Sequence, residues 1–184
     1  MNGFRTELIN KIVGFNPHIT VKPYESKYIN PARFNSPELN SISKNLISSN
    51  TSEAIVINNN NSKGIILRGY KSNDFSKLSI INNKNFLGNK INLKNNNISI
   101  GKELSFILDV KIGDNISLMA ASGIDTIIGS LPKQKVFKVV SLFESGLVDF
   151  DTNIVFMNLD TLEEFSNLKN SDRNLEIYLK SPQN

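Results

Sequence analysis

Two strand-forming runs, residues 53–57 and 64–70, stand on either side of turn residues 58–63. That arrangement predicts a β-hairpin in the middle of the chain. Other strand-like stretches are equally short. Ile19 and Val21 alternate with polar neighbours and stop at Pro23; Ile98-Ser99-Ile100 runs into Gly101. Ile116 and Leu118 open a strand, residues 136–143 and 154–157 form two more, and Leu175, Ile177 and Leu179 alternate near the end. Helical spacing is confined to isolated pieces. Phe4, Leu8, Ile12 and Phe15 predict an amphipathic helix over the first 15 residues, ended by Asn16-Pro17. Ser36-Pro37 reads as a cap with proline in the first turn, placing Leu39, Ile42, Leu46 and Ile47 on one helix face. Leu104, Ile107 and Leu108 mark a short helix, and Asp160 with Glu163 three positions on reads as a capping box ahead of Leu162, Phe165 and Leu168. Hairpins with isolated helices predict an α+β fold with a mixed or antiparallel sheet.

The 184 residues suffice for one domain, or two small intertwined subdomains, with a real core. Cysteine is absent and His18 is the single histidine, which excludes disulfides, thiolate sites and multi-histidine metal sites. No apolar run approaches the roughly 20 residues of a bilayer span. Arg5, Glu7 and Lys11 interrupt any signal-peptide core near the start. The formal charge of +4 invites a nucleic-acid reading, but the distribution opposes it. Residues 1–100 hold 13 Lys/Arg against 5 Asp/Glu, and residues 101–184 hold 8 against 12. The lysines are scattered singly among 28 asparagines, so they read as a solvated surface, with no nucleic-acid partner.

Little in the chain suggests catalysis. One histidine beside a proline reads as structural, and neither a Walker loop nor a dinucleotide-binding glycine motif is present. Glu144, Asp149 and Asp151 form the best carboxylate cluster. On a strand, Asp149 and Asp151 would share a face and could hold a hard cation in a small metal-dependent hydrolase. The competing reading is a turn in which these side chains satisfy free backbone amides. No cofactor is implied.

One segment resists a bland reading. Residues 120–131 join two strands, run too long for a tight hairpin, and place Ile124, Ile127, Ile128 and Leu131 between Gly123 and Gly129, ahead of Pro132. Long connections in compact domains tend to be functional, and exposed apolar residues mark protein contacts. The alternative is a flap folded back into the core.

The run Ile98-Ser-Ile-Gly-Lys-Glu-Leu104, followed by Leu108, Val110, Gly113-Asp114, Ile116 and Leu118, resembles a signature of the periplasmic core domain of MacB-type ABC transporter subunits. Met1-Asn-Gly-Phe-Arg-Thr-Glu-Leu8, the Arg68-Gly69 strand, Gly129-Ser-Leu-Pro-Lys-Gln-Lys135 with Phe137, and Phe143-Glu-Ser-Gly146 with Phe150-Asp151 resemble the lipoprotein-releasing LolC/LolE family, LolC-like through its hook.

That resemblance implies a MacB-like periplasmic core fold: a juxtamembrane helix at 1–15 after a first transmembrane span, a porter-like lobe from 16–57 and 140–181, and an inserted, mostly β lobe at 58–139. It implies a hook at 120–132, using Ile124, Asp125, Thr126, Ile127, Ile128, Gly129, Leu131 and Pro132, and a pad at Gln134 and Lys135. Lysine in place of the family's arginine turns a bidentate contact into a point charge. The implied partners are the periplasmic chaperone LolA, a second LolC/LolE-type subunit or a second copy of the chain, the cytoplasmic ATPase LolD, and the lipoprotein substrate. The implied location is the periplasmic side of a Gram-negative inner membrane. The domain itself would be no enzyme. A MacB-like exporter or permease with a different partner is the alternative.

Overall fold

The computed structural model describes residues 12–25, 27–82, 84–89, 93, 95–126 and 129–182. Its strands are β1 (Ile19–Val21), β2 (Ser43–Asn58), β3 (Asn61–Tyr70), β4 (Leu87–Gly88), β5 (Asn97–Gly101), β6 (Asn115–Thr126), β7 (Gly129–Phe143), β8 (Ile154–Asn158) and β9 (Asn174–Leu179). They form one sheet in the order β1-β9-β2-β3-β8-β5-β7-β4, with β6 bridging β2 and β7. The pairing therefore returns on itself through β2, β3, β8, β5, β7 and β6. Among the described residues only β3–β8 and β5–β7 are parallel. The mixed α+β architecture expected from the sequence is the one observed.

The central hairpin forms with a tighter turn than the spacing predicts. Asn58 pairs with Asn61, and Asn59 takes a left-handed φ of 49°. Asparagine tolerates that region better than most residues. Alternation along β2 and β3 then sorts side chains between two faces. Ala54, Val56, Ile65 and Leu67 join Ile98, Ile100, Leu118, Phe137, Val155 and Met157 in one buried cluster, closed by Leu104 and Leu108 of the Lys102–Leu108 helix and by Leu162 and Phe165 of the Leu159–Ser166 helix. Tyr70, Phe143 and Phe156 face the other way, into a second cluster with Ile47, Phe75, Ile80, Ile81, Phe86 and Leu93.

Two expectations need correction. The helix after Ser36 covers only Pro37–Ile42, and Leu46 and Ile47 lie in β2. Register with β9 decides this, because Ile47 pairs with Glu176 and is fully buried there. The cap of the Leu159–Ser166 helix is Asn158, whose Oδ1 accepts from the Asp160 and Thr161 amides at 3.0 and 3.3 Å. Glu163 instead binds the Arg173 guanidinium, with Nε–Oε1 and Nη2–Oε2 both 2.6 Å. Among the described residues before Asn97, Phe75, Leu78, Ile80, Ile81, Phe86 and Leu93 are all buried.

Residues 12–15 are helical, and the remainder of the predicted N-terminal helix lies outside the described residues. No helix among the described residues is long and apolar enough to cross a membrane.

Candidate functional site

The signature glycines and acids form one interlocked joint. A Cβ on Gly101 would stand 1.8 Å from the Asp151 carbonyl oxygen, so only glycine fits at the end of β5. Asp151 belongs to the Val148–Asn153 helix and is 2 % exposed. Its carboxylate accepts from the Ser145 amide at 2.8 and 3.0 Å and from the Gly146 amide at 3.2 Å. The strand placement imagined for Asp149 and Asp151 is therefore wrong. Both lie on a helix, where residues two apart diverge; Asp149 is exposed and Asp151 is consumed by backbone amides. Glu144 pairs with Lys102 at 3.2 Å. Among the described residues no cluster of acids or histidine could hold a metal ion.

His18 is also structural. Its Nδ1 accepts from the Leu179 amide at 2.7 Å, so the ring proton sits on Nε2, 3.0 Å from the Val13 carbonyl. The ring meets Tyr178 edge-on.

Sequence reasoning missed a buried carboxylate. Glu176 is 3 % exposed, and its side chain gathers Ser49 Oγ at 2.7 Å, Arg68 Nη2 at 3.1 Å, Tyr70 OH at 3.0 Å and Tyr178 OH at 2.8 Å. Burial holds the Tyr70 phenol well above its ordinary range; Arg68 pulls it down, while Glu176 and Tyr178 push it up. Burial, then Glu176, raises Tyr178 in the same direction. Burial alone would lower Arg68, yet Tyr70, Glu176 and Tyr178 outweigh it and leave the guanidinium firmly charged. The alternation of β9 gave no warning, because a strand covered on both faces hides a charged residue among apolar ones. The neighbouring Gly69 serves packing instead. A Cβ there would come within 3.1 Å of Leu159 Cα and Leu162 Cβ, so the glycine seats that helix on β3.

The loop expected between residues 120 and 132 is instead an extension of the β6–β7 pairing, which is interrupted between Met119 and Gly123 and resumes beyond it. β6 runs to Thr126 and β7 starts at Gly129, with Ile124 opposite Leu131, Asp125 opposite Ser130 and Thr126 opposite Gly129. Gly129 has a φ of +120°, which a side chain would oppose. Gly123 lies within the strand, not at the turn, and faces Pro132 just past an irregularity in the register. Pro132 is tolerated because this stretch of β7 has β6 alone as a neighbour. β2 leaves β6 at Ala120, and β5 joins β7 only at Lys138. From Ala121 to Thr126, six residues or about 20 Å at about 3.3 Å per residue, the ribbon has no third strand among the described residues.

Of the expected hook residues, Leu131 is 52 % exposed, Gly129 and Pro132 are exposed, and Ile124, Asp125 and Thr126 are placed by their backbone. Ile127 and Ile128 lie outside the described residues. The two pad residues point to opposite faces of β7. Gln134 donates to Ser117 Oγ at 2.7 Å, whereas Lys135 reaches Glu164 at 3.7 Å on the helix side. Lys133 Nζ also donates to the Glu164 carbonyl at 2.7 Å, so the Leu159–Ser166 helix braces the base of the ribbon.

No protein-family model matches the chain. In sequence it is 31% identical over 101 residues to the lipoprotein-releasing system transmembrane protein LolC of Xylella fastidiosa strain Temecula1, covering 54% of this chain and 24% of that protein. It is 23% identical over 189 residues to LolC of Neisseria meningitidis serogroup B, covering 100% of this chain and 45% of that protein. The chain therefore spans less than half the length of the curated relatives it matches. In structure it matches the extracellular domain of the noncanonic ABC-type transporter YknZ from Gram-positive bacteria, at a TM-score of 0.51 and 12% identity over 89% of this chain and 84% of that one. It matches the periplasmic region of MacB from Actinobacillus actinomycetemcomitans at a TM-score of 0.52 and 12% identity, over 92% and 74%. By sequence this chain is similar to the lipoprotein-releasing LolC proteins, and its fold is the mixed α+β fold of the MacB periplasmic region and the YknZ extracellular domain.

Proposed function

We propose that this chain is the periplasmic domain of an inner-membrane ABC transporter that releases lipoproteins and passes them to the soluble chaperone LolA through the 120–132 hairpin. The observation that carries the reading is a ribbon without a third strand, in a chain whose named relatives are LolC proteins. Ile124, Ile127, Ile128 and Leu131 supply aliphatic side chains suited to a cavity that accepts acyl chains. Full burial of two isoleucines contributes roughly 3–6 kcal/mol before ordering costs. Gln134 and Lys135 add polar contacts at the base, one on each face.

In this reading ATP hydrolysis belongs to a separate LolD-type subunit, and the domain pairs with a second LolC/LolE-type subunit or with its own copy. Residues 1–15 follow a membrane span, 16–57 with 140–181 make the porter-like lobe, and 58–139 make the inserted lobe. The MacB-like fold sustains a second reading, an exporter domain with another partner.

The test is calorimetric titration of the chain with the periplasmic chaperone of its own organism. Ile128→Asp and Leu131→Asp should each weaken binding at least tenfold and leave the melting temperature nearly unchanged. Wild-type affinity in both variants, or no chaperone binding by the parent chain, sinks the hook assignment and favours the exporter reading.

A further inference from the structure

The first and last described segments of the chain meet in one cleft. β1 pairs with β9, and Val13, Gly14 and His18 face Leu179, Lys180, Ser181 and Pro182 across about 570 Å³. Lys44, Lys77 and Lys180 also line this cleft, and no aspartate or glutamate does. Lys180 is held in place by the Asn40 and Ser41 carbonyls, at 3.2 and 2.7 Å. Lys77 shares its charge with Asp74 at 2.6 Å. Lys44 is exposed and has no acidic partner among the described residues. The buried Glu176, next to the cleft residue Tyr178 on β9, is paired with Arg68. Lys44 and Lys180 therefore stand uncompensated, beside the hydrogen-bonding side chains of Asn45, Ser79 and Ser181.

We propose that this cleft binds a phosphate, and specifically the phosphodiester of an anionic lipid headgroup at the membrane surface. The assignment rests on the reading above, in which both ends of the domain approach the bilayer. A lysine near an anionic surface gains favourable energy that decays within a Debye length, so lysines gathered where the first and last described segments meet are well placed to contribute. Such contacts would hold the domain upright on the membrane with its hairpin directed elsewhere, because the hairpin belongs to β6 and β7 and the cleft to β1, β2 and β9.

The experiment is co-sedimentation of the 184-residue chain with phosphatidylcholine vesicles, with and without phosphatidylglycerol, and a parallel titration with inorganic phosphate. Binding is expected only with phosphatidylglycerol. The double variant Lys44→Glu/Lys180→Glu should lower it at least about thirtyfold, in line with the usual contribution of two lysines at an anionic surface. The control Lys111→Glu/Lys138→Glu, with the same charge change on the distant turn and on β7, should not. Equal losses in both variants, or no vesicle binding, overturn the proposal. Inorganic phosphate that binds and competes as strongly as the vesicles assigns the cleft to a soluble phosphate and overturns the lipid source. The chaperone titration is independent of this surface, so a failure here with hook binding intact leaves the transporter reading standing.

Discussion

The buried cluster around Glu176 and the 120–132 ribbon use the same kind of local structure to opposite ends. At Glu176 four side chains from β2, β3 and β9 converge on one carboxylate, and no member reaches solvent freely. In the ribbon, two strands have only each other, and an apolar side chain such as Leu131 stands half exposed. The first arrangement ties the last described strand, β9, to β2 and β3. The second contributes little to that body and keeps apolar surface available to a partner. Removing a group should therefore cost stability in one place and binding in the other.

The sharpest way to break this contrast is at the carboxylate. Glu176→Ala leaves Arg68 buried and unpaired, which costs about 3–5 kcal/mol. For a domain of this size that corresponds to a fall in melting temperature of about 10 °C. A calorimetric scan showing a fall of about 2 °C or less would mean that water reaches Arg68 and that the cluster is no anchor. Next comes Gly101→Ala, where the added methyl collides with the Asp151 backbone and should cost about 3 kcal/mol in urea unfolding. An unchanged midpoint would show that the Val148–Asn153 helix can shift, loosening the joint between β5 and the Ser145–Gly146 turn.

Alkaline pH is a gentler probe of the same cluster. Tyr70 and Tyr178 keep their protons in the folded state to higher pH than the ordinary value of 10.0. Their contribution is fully present below that value and fades as pH rises through the folded-state values, because only the unfolded chain ionises its phenols readily. Urea midpoints should thus be insensitive to these groups up to about pH 10 and fall above it. A midpoint that rises there contradicts the sign. Smallest of all is the effect expected in the ribbon. Leu131→Asp, the variant whose chaperone affinity should drop, is expected to shift stability by no more than about 0.5 kcal/mol, as for an ordinary surface substitution.

Much of the architecture could be read from residue patterns. Glycine-bounded strands at 98–101, the hairpin of β2 and β3, and the turn ending in Gly113-Asp114, where the Asp114 side chain accepts from the Lys111 amide at 2.8 Å, are local features with local causes. Glu144, Asp149 and Asp151 show where such reading stops. Their spacing allowed a strand face or a turn, and the outcome depended on Gly101 arriving from β5 to accept the Asp151 backbone. The hairpin at 120–132 was legible as unusual, but the resumption of its ladder at Gly123 was not, because Gly123 and Pro132 both look like strand breakers until they are found opposite each other. The pad residues were legible as a motif and not as a geometry, since adjacent positions on a strand face apart.

By itself the sequence determined the chemistry that is missing and the units that are present. Without cysteine, and with one histidine, neither a disulfide framework nor a multi-histidine metal site could arise, and the periodicities committed the chain to short strands with isolated helices. Tertiary structure alone decided which polar groups matter. Glu176 sits in a run that reads as an ordinary alternating strand, and it became the centre of a network only because β2 and β3 bring Ser49, Arg68 and Tyr70 to it across more than a hundred residues. Local pattern sets the conformation of a segment through sterics and solvation of its neighbours. The partner of a buried charge is chosen by the strand register, and that register is settled only when the whole sheet closes.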